Sequence, residues 1–171
     1  MMKSICTAIL LQFVLPVTIA SAGERTAKDW ELNVWGLSHH LESAPQGRAF
    51  NEVNPGIGIR KYFDKMSGFE VFVDANFVSK NSTSGQTALV GIGGQYPVFS
   101  TQQADILLGA VVGAVSYENT WDRQTYVTPG AYPFVGAMYK DVALTVGYIP
   151  GIKVNGKATY EAIFGYASIR F

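Results

Sequence analysis

The stretch Phe69-Glu-Val-Phe-Val-Asp-Ala-Asn-Phe77 decides the fold, because apolar and polar side chains alternate along it. A strand places every second side chain on the same face. One face of this stretch is therefore wholly apolar, and it consists of Phe69, Val71, Val73, Ala75 and Phe77. The opposite face is mixed and consists of Glu70, Phe72, Asp74 and Asn76. Thr87 to Tyr96 repeats the alternation, and the polar segment Lys80 to Gly85 between the two stretches predicts a hairpin.

The first 22 residues have the pattern of a secretory signal peptide. Lys3 precedes an apolar run from Ile5 to Ile19, and Ala20-Ser-Ala22 is a small-residue cleavage site. Cleavage after Ala22 would leave a domain of residues 23–171 without the only cysteine, Cys6. We therefore expect no disulfide, no cysteine nucleophile and no zinc cluster in that domain.

Composition narrows the class of protein. The 13 basic residues less Lys3 leave 12 against 13 acidic residues, with no basic patch, so nucleic acid is not an expected partner. After residue 23 the longest apolar run, Ile106 to Val115, is far shorter than the roughly 20 residues of a spanning helix. Yet 48% of the residues are hydrophobic and 13% are aromatic. Many aromatics on short alternating strands favour an outer-membrane barrel, with the apolar face toward lipid.

Eight strands are predicted, which gives an all-β, antiparallel, up-and-down transmembrane barrel in a Gram-negative outer membrane. They cover about 30–41, 56–63, 69–77, 87–96, 106–117, 131–139, 142–149 and 158–171. Connections after the second, fourth and sixth strands are shorter on average than the others, as expected for periplasmic turns. The last strand ends on an aromatic residue, Phe171, and Trp30 and Trp35 are candidate interfacial anchors.

The lumen of such a barrel can be described from the same register. Eight strands enclose a space that side chains nearly fill, so a wide pore is not expected. Arg60, Glu70, Asp74 and Arg170 project inward, and we expect them to form internal ion pairs rather than a catalytic group. Strand five is apolar on both faces, and glycines beside it leave room. Two alternatives stay open: an apolar, partly empty lumen that suits a hydrocarbon tail, or a tightly packed apolar plug.

Two prolines mark the sixth strand, Pro129 just before it and Pro133 inside it. Proline cannot donate to a sheet ladder. A gap in the ladder would expose backbone to lipid unless something covers it, and a barrel that admits lipids sideways needs such a gap. Alternatively, both prolines lie near the membrane edge, where water satisfies the backbone.

Four short segments in chain order carry a resemblance to a known family. They are Phe50-Asn-Glu52 with Pro55-Gly-Ile-Gly58, Lys80-Asn-Ser82 with Gly91-Ile-Gly93, Tyr126 to Pro133, and Tyr148-Ile-Pro-Gly151. Together they resemble the PagP-type lipid A palmitoyltransferases, which are eight-stranded barrels of the outer membrane. The resemblance implies a monomeric enzyme that moves an acyl chain from a phospholipid donor to a lipid A acceptor, with no metal and no other cofactor.

The resemblance also implies site residues, because that family needs a histidine, an aspartate and a serine for acyl transfer. Ser82 matches the serine, Asn81 stands where the family has the aspartate, and His40, with His39 as the close alternative, matches the histidine. His40 would be the base and Ser82 a hydrogen-bond donor or nucleophile, whereas Asn81 cannot hold an imidazolium as a carboxylate does. Gly93 matches the glycine at the floor of the family's acyl pocket. The family's N-terminal amphipathic helix is missing.

Other functions fit the same residues. Without the resemblance, the His39-His40 and Asn81-Ser82 pairs are ordinary polar loop residues. The chain would then be a non-catalytic outer-membrane barrel of structural, lipid-binding or adhesin-like type. A lipid A deacylase is disfavoured because the last strand has Ser168 but no histidine. A soluble carrier would need its apolar face turned inward.

Overall fold

The fold is a closed antiparallel barrel. The computed structural model describes residues 28–45, 47–63, 68–151, 153–154, 157–158 and 160–171, so the predicted signal peptide lies outside the described residues. The barrel strands are β1 (Trp30–His40), β2 (Val53–Tyr62), β3 (Glu70–Val78), β4 (Thr87–Ser100), β5 (Ala104–Asn119), β6 (Gln124–Tyr139), β7 (Val142–Ile149) and β10 (Ala162–Arg170). They close in the order β1-β10-β7-β6-β5-β4-β3-β2. Two short strands, β8 (Lys153–Val154) and β9 (Lys157–Ala158), form a separate ribbon. The predicted fold class is confirmed.

The barrel exposes a continuous apolar band. Its large outward-facing side chains include Val34, Ile57, Val73, Val90, Ile92, Val112, Val135, Leu144, Val146 and Ile163. Water would not tolerate so many neighbouring exposed aliphatic side chains, whereas lipid does. A closed barrel also satisfies strand backbone groups without water. The band is therefore the membrane-facing surface. No helix in the described parts of the chain has the length and apolarity needed to cross a membrane.

The alternation along β3 sorts its side chains as predicted. Glu70, Phe72, Asp74 and Asn76 are buried in the lumen, and the intervening side chains face outward. Arg60 and Arg170 also point inward, as the register requires. Trp35 was predicted to be an interfacial anchor, but its ring lies inside the barrel and stacks on Phe164. A bulge follows Trp35 in β1.

One end of the barrel has short connections and many exposed aromatic rings. The links after β2, β4 and β6 are residues 63–69, 101–103 and 140–141, and the links after β1 and β7 are longer. Exposed rings at this end include Trp30, Phe63, Phe69, Phe99, Tyr139 and Phe171. Short turns and an aromatic girdle identify the periplasmic end of such barrels. The opposite end, with the longer loops, faces outward from the cell and is called the outer end here.

Several predicted strand ends were wrong. Residues 97–105, which separate two of the predicted strands, belong mostly to β4 and β5, and residues 118–130, between the next two predicted strands, are also mostly strand. The β5–β6 hairpin continues upward because Thr125, Tyr126 and Val127, good strand formers, pair with β5. The last strand begins at Ala162 rather than at 158. Strands β5 and β6 therefore extend much further toward the outer end than β7 does.

Candidate functional site

A charged cluster seals the periplasmic half of the lumen. The Arg60 guanidinium is fully buried and donates to Glu31 Oε1 at 3.2 Å and to Asp74 Oδ2 at 2.9 Å. It also donates to the Tyr166 hydroxyl at 3.0 Å and lies 3.9 Å from the centroid of the Phe72 ring. Two carboxylates and an aromatic face thus compensate one buried cation, as such a charge requires. The sequence predicted the ion pairing, but the part played by Glu31 was missed.

A second charged layer lies closer to the periplasm. Arg170 forms a bidentate pair with Glu70, at 3.1 and 2.8 Å, and its guanidinium lies 3.8 Å from the centroid of the Tyr62 ring. The Gln95 side chain donates to Glu70 at 2.8 Å. Bidentate geometry fixes both partners more firmly than a single contact does. The two layers together leave no wide passage through the inner half.

Aromatic rings fill the space beside the glycines at mid-barrel. A Cβ on Gly93 would lie 2.3 Å from the Phe72 ring, and one on Gly109 would lie 2.3 Å from the Phe134 ring. Phe72 and Phe134 are themselves fully buried. Gly93 is therefore covered by a ring and does not line the cavity described next, contrary to its expected place at a pocket floor.

The outer half of the lumen holds a cavity of about 630 Å³. Its floor consists of the side chains of Trp35, Asn76, Tyr132 and Phe164. Its walls include Leu89, Val115, Gly130 and Ala162, and residues near its rim include His40, Ser82, Tyr117 and Tyr126. A volume of this size is typical of sites for small organic ligands. The lumen is therefore partly empty in its outer half, and its inner half is plugged by charged groups and aromatic rings rather than by a wholly apolar plug.

The barrel wall is incomplete beside this cavity. The pairing of β6 with β7 runs only from Phe134–Gly147 to Tyr139–Val142. Above it, residues 124–133 of β6 pair with β5 alone among the described residues. Pro129 and Pro133 lie on this stretch, which has no pairing with β7. Proline has no backbone N–H group, so neither residue needs a hydrogen-bond acceptor there. The predicted gap exists, but it lies on the β7 side, and the β5 ladder runs across both prolines.

Aromatic side chains from three outer segments meet across the mouth of the barrel. The ring centroid of Phe50, in the β1–β2 loop, lies 5.3 Å from that of Trp121 in the β5–β6 loop and 4.8 Å from that of Tyr160. Arg48 lies 5.3 Å from the Trp121 centroid. The β1–β2 and β5–β6 junctions are on opposite sides of the eight-strand ring, so this aromatic bridge spans the opening. Burial raises the pKa of Tyr160 above its ordinary value, and Arg48 opposes that shift.

His40 connects the bridge to the cavity. Its ring stacks on Phe50 with centroids 3.8 Å apart, and it lines the cavity. His40 Nδ1 is buried and has no hydrogen-bond partner among the described residues. The alternative histidine, His39, faces outward and pairs with Glu52 at 2.8 Å. Only His40 of the two is therefore placed to meet a ligand in the cavity.

The side chain of Asn81 organises the β3–β4 loop. Its amide donates to the carbonyl oxygens of Gln86 at 2.9 Å and Glu118 at 2.8 Å. Its oxygen accepts from the backbone N–H groups of Thr83 at 2.9 Å and Gly85 at 3.0 Å. With donors and acceptor both engaged and the residue buried, this amide holds the loop rather than a neighbouring imidazole.

Ser82 lines the same cavity as Asn81 but is only half-buried. Its carbonyl oxygen accepts from the N–H of Asn51 at 2.8 Å, which ties the β3–β4 loop to the β1–β2 loop. The structure thus brings His40, Asn81 and Ser82 to one cavity, with the Asn81 amide engaged in its own loop. Within the described part of the chain, no group of three or more His, Cys, Asp or Glu residues could hold a metal ion.

Comparison with known proteins supports the fold. No protein family matches the chain, and no curated protein sequence does. The crystal structure of neisserial surface protein A matches with a TM-score of 0.51 at 18% identity, over 83% of this chain and 95% of that one. A de novo designed transmembrane β-barrel matches with a TM-score of 0.46 at 10% identity, over 86% and 99%. Ail of Yersinia pestis, determined in a phospholipid nanodisc, matches at 0.43 and 9%, over 85% and 100%.

These findings define a class rather than a family. The closed eight-stranded barrel, the apolar outer band and the inner aromatic girdle are those of a small outer-membrane β-barrel. The protein is located in the outer membrane of a Gram-negative bacterium, as predicted. The resemblance to PagP-type enzymes stays a prediction.

Proposed function

We propose that this protein is a non-catalytic outer-membrane barrel that binds the hydrocarbon chain of a membrane amphiphile. One observation carries the proposal: a cavity of about 630 Å³ lies in the outer half of the lumen, beside a β6 edge that β7 does not cover. The walls are apolar at Leu89, Val115 and Ala162. Burial of hydrocarbon against such walls is worth about 0.8 kcal/mol per methylene group.

The ends of the cavity favour a ligand that arrives from the membrane. Below, the Arg60 cluster closes the route to the periplasm. Above, the Phe50–Trp121 contact spans the mouth. The side next to residues 124–133 of β6 lacks a paired neighbour among the described residues, and its lower part, residues 129–133, lies level with the apolar band. A chain that enters there stays in an apolar medium throughout, so it meets no desolvation penalty.

The polar groups of the site lie where a lipid headgroup would be. His40, Ser82, Tyr117 and Tyr126 line the cavity near its outer rim, above the apolar walls. These side chains offer both donors and acceptors. A bound amphiphile would therefore place its tail on the Tyr132 floor and its headgroup beside His40 and Ser82.

The test uses two neighbouring residues that face opposite ways. Leu89 lines the cavity, whereas Val90 faces lipid. In nanodiscs that contain phosphatidylcholine with a nitroxide near the end of its acyl chain, we expect paramagnetic broadening of the Leu89 methyl NMR signals. Val115→Phe, which fills the cavity, should abolish this broadening, and its outward-facing neighbour variant Ala114→Phe should not. Broadening at Val90 alone in the wild-type protein would refute the proposal.

A second candidate is the outer-membrane acyltransferase, and one observation favours it: His40 and Ser82 line the same cavity. A base and a hydroxyl beside a bound lipid are groups that acyl transfer uses. The donor would be a phospholipid and the acceptor lipid A. Against this activity, the Asn81 amide is engaged in its own loop and supplies no carboxylate to His40.

Lipid mass spectrometry separates the two candidates. The protein would be expressed in a Gram-negative host that lacks its own lipid A palmitoyltransferase, alongside His40→Ala and Ser82→Ala. A lipid A species that is one acyl chain heavier, and that both variants lose, would establish the enzyme. Unchanged lipid A with a correctly inserted barrel leaves the binding function.

A further inference from the structure

A second, shallow depression lies on the outside of the barrel, across β3, β4, β5 and β6. Its volume is about 160 Å³. Phe77, Ala88 and Ser116 occupy one row across three strands, since Phe77 pairs with Ala88 and Ala88 with Ser116. Glu118 and Thr125 form the next pair toward the outer end. The methyl group of Ala88 is the low point between the larger Phe77 ring and the Ser116 side.

The upper edge of the depression is held in place. Gln86 N–H donates to Glu118 Oε2 at 3.0 Å, and Glu118 N–H donates to the Gln86 carbonyl at 2.8 Å. These reciprocal bonds fix the Glu118 carboxylate and the Gln86 backbone above Ala88. The depression therefore has a built rim rather than a pair of flexible surface side chains.

Polar groups around the depression have unused hydrogen-bonding capacity. The side-chain amide of Gln86, the Ser116 hydroxyl and the Thr125 hydroxyl form no hydrogen bond within the described part of the chain. The Glu118 carboxylate accepts one backbone N–H and forms no ion pair with a described cation. Two hydroxyls, an amide and a carboxylate thus surround a small space with one aromatic wall.

The height of the depression in the membrane indicates what reaches it. Directly below the Ala88 row, Val90 and Ala114 face outward and belong to the apolar band. Directly above it, Gln86 and Glu118 are polar and exposed. The depression therefore lies where acyl chains give way to headgroups in the outer leaflet.

We propose that this depression binds the sugar ring of a membrane glycolipid. A hexose ring carries hydroxyl groups at its edge and C–H groups on its face. The hydroxyls match the Ser116, Thr125, Gln86 and Glu118 groups, and the C–H face matches the Phe77 ring, whose π-face is electronegative. The proposal concerns the exterior of the barrel and is independent of the cavity inside it.

The experiment is an NMR titration of the barrel in phosphatidylcholine nanodiscs. The probe is decyl glucoside, and decyl phosphocholine is the matched amphiphile without a sugar. We expect saturable amide shifts at Ala88, Ser116 and Thr125 with the glucoside only. Equal shifts with both amphiphiles, or no shifts with the glucoside, would overturn the proposal.

Two variants locate the binding. Ala88→Leu fills the depression from its floor and should abolish the shifts, whereas Ala110→Leu, on the same outward face but away from the depression, should retain them. Glu118→Gln keeps an acceptor for the Gln86 N–H but removes the charge, and we expect about tenfold weaker binding, since bonds to charged groups are the stronger ones. Full binding by Ala88→Leu would place the sugar elsewhere.

Discussion

The two halves of the lumen are built from the same strands and the same alternation, yet one is sealed and the other is hollow. In the inner half, long side chains such as Arg60 and Phe72 meet at the barrel axis. In the outer half, the inward positions of β5 and β6 just above mid-barrel carry shorter residues, Val115, Thr128 and Gly130, and the long side chains of Tyr117 and Tyr126 return only near the rim. The comparison teaches that alternation decides which side chains point inward, whereas their lengths decide whether the result is a plug or a site.

The largest expected effect tests the inner half. Asp74→Asn leaves the buried Arg60 with one carboxylate fewer, and breaking a buried ion pair costs about 3–5 kcal/mol of unfolding free energy. The matched change in the outer half, Glu52→Gln, removes the exposed partner of His39 and should cost less than about 1 kcal/mol. Urea unfolding in detergent micelles, followed by tryptophan fluorescence, measures both. Equal losses of unfolding free energy in the two variants would show that the buried Arg60 cluster stabilises the barrel no more than the exposed His39–Glu52 pair does.

The next effect compares two glycines. Gly93→Ala would place a Cβ 2.3 Å from the Phe72 ring, and such overpacking costs about 1–3 kcal/mol. At Gly36, in contrast, a Cβ would meet no atom within 4 Å, so Gly36→Ala should change stability by no more than about 0.5 kcal/mol. The same unfolding assay applies. A stable Gly93→Ala would mean that the ring has space to move and that mid-barrel is not packed.

A smaller effect concerns the aromatic bridge over the hollow half. Trp121→Ala removes its ring contacts with Phe50 and Tyr160, and aromatic pairs are worth about 0.5–1.5 kcal/mol each. We expect little change in global stability but faster proteolysis of the β1–β2 loop. Trp121→Phe, which keeps a ring at that position, is the control. Identical digestion of all three proteins would argue that the bridge does not hold the loops together.

The smallest expected effect concerns β6 and compares its amides that lack a β7 partner with those that have one. Every second amide of β6 in residues 124–132 lacks a β7 partner, whereas residues 134–139 have one. Those unpaired amides should exchange with deuterium at least about tenfold faster than the amides of 134–139. Amide exchange followed by NMR in nanodiscs measures the difference. Uniform protection along β6 would mean that a neighbour covers its edge.

Much of the fold could be predicted from the sequence because a strand has a period of two. The alternation at Phe69 to Phe77 gave the inner and outer faces of β3, and the segment 142–149 was predicted with its observed bounds. The upper part of β6 was missed because Pro129, Gly130 and polar neighbours resemble a loop. Its strand character depends on pairing with β5, which no local pattern reveals.

The site was harder to predict than the fold. The structure places both His40 and Ser82, which lie at outer strand ends, on one cavity, and their catalytic roles stay a prediction. Gly93 looks open in the sequence, whereas in the structure the Phe72 ring fills the space beside it. The aromatic bridge was also missed, because Phe50 and Trp121 meet only when opposite loops close over the barrel. Contacts between distant loops leave no periodic signal.

The short β6–β7 pairing has a mechanical consequence. A closed barrel under mechanical load opens first where two neighbouring strands share the fewest hydrogen bonds. The β6–β7 pairing is shorter than the neighbouring β5–β6 pairing, in which two 16-residue strands pair along their whole length. Lateral pressure in a crowded membrane would therefore act first on the joint between β6 and β7. Compression or stretching of the surrounding bilayer would change the width of that joint, so the tension of the membrane itself could set how readily the outer cavity fills and empties.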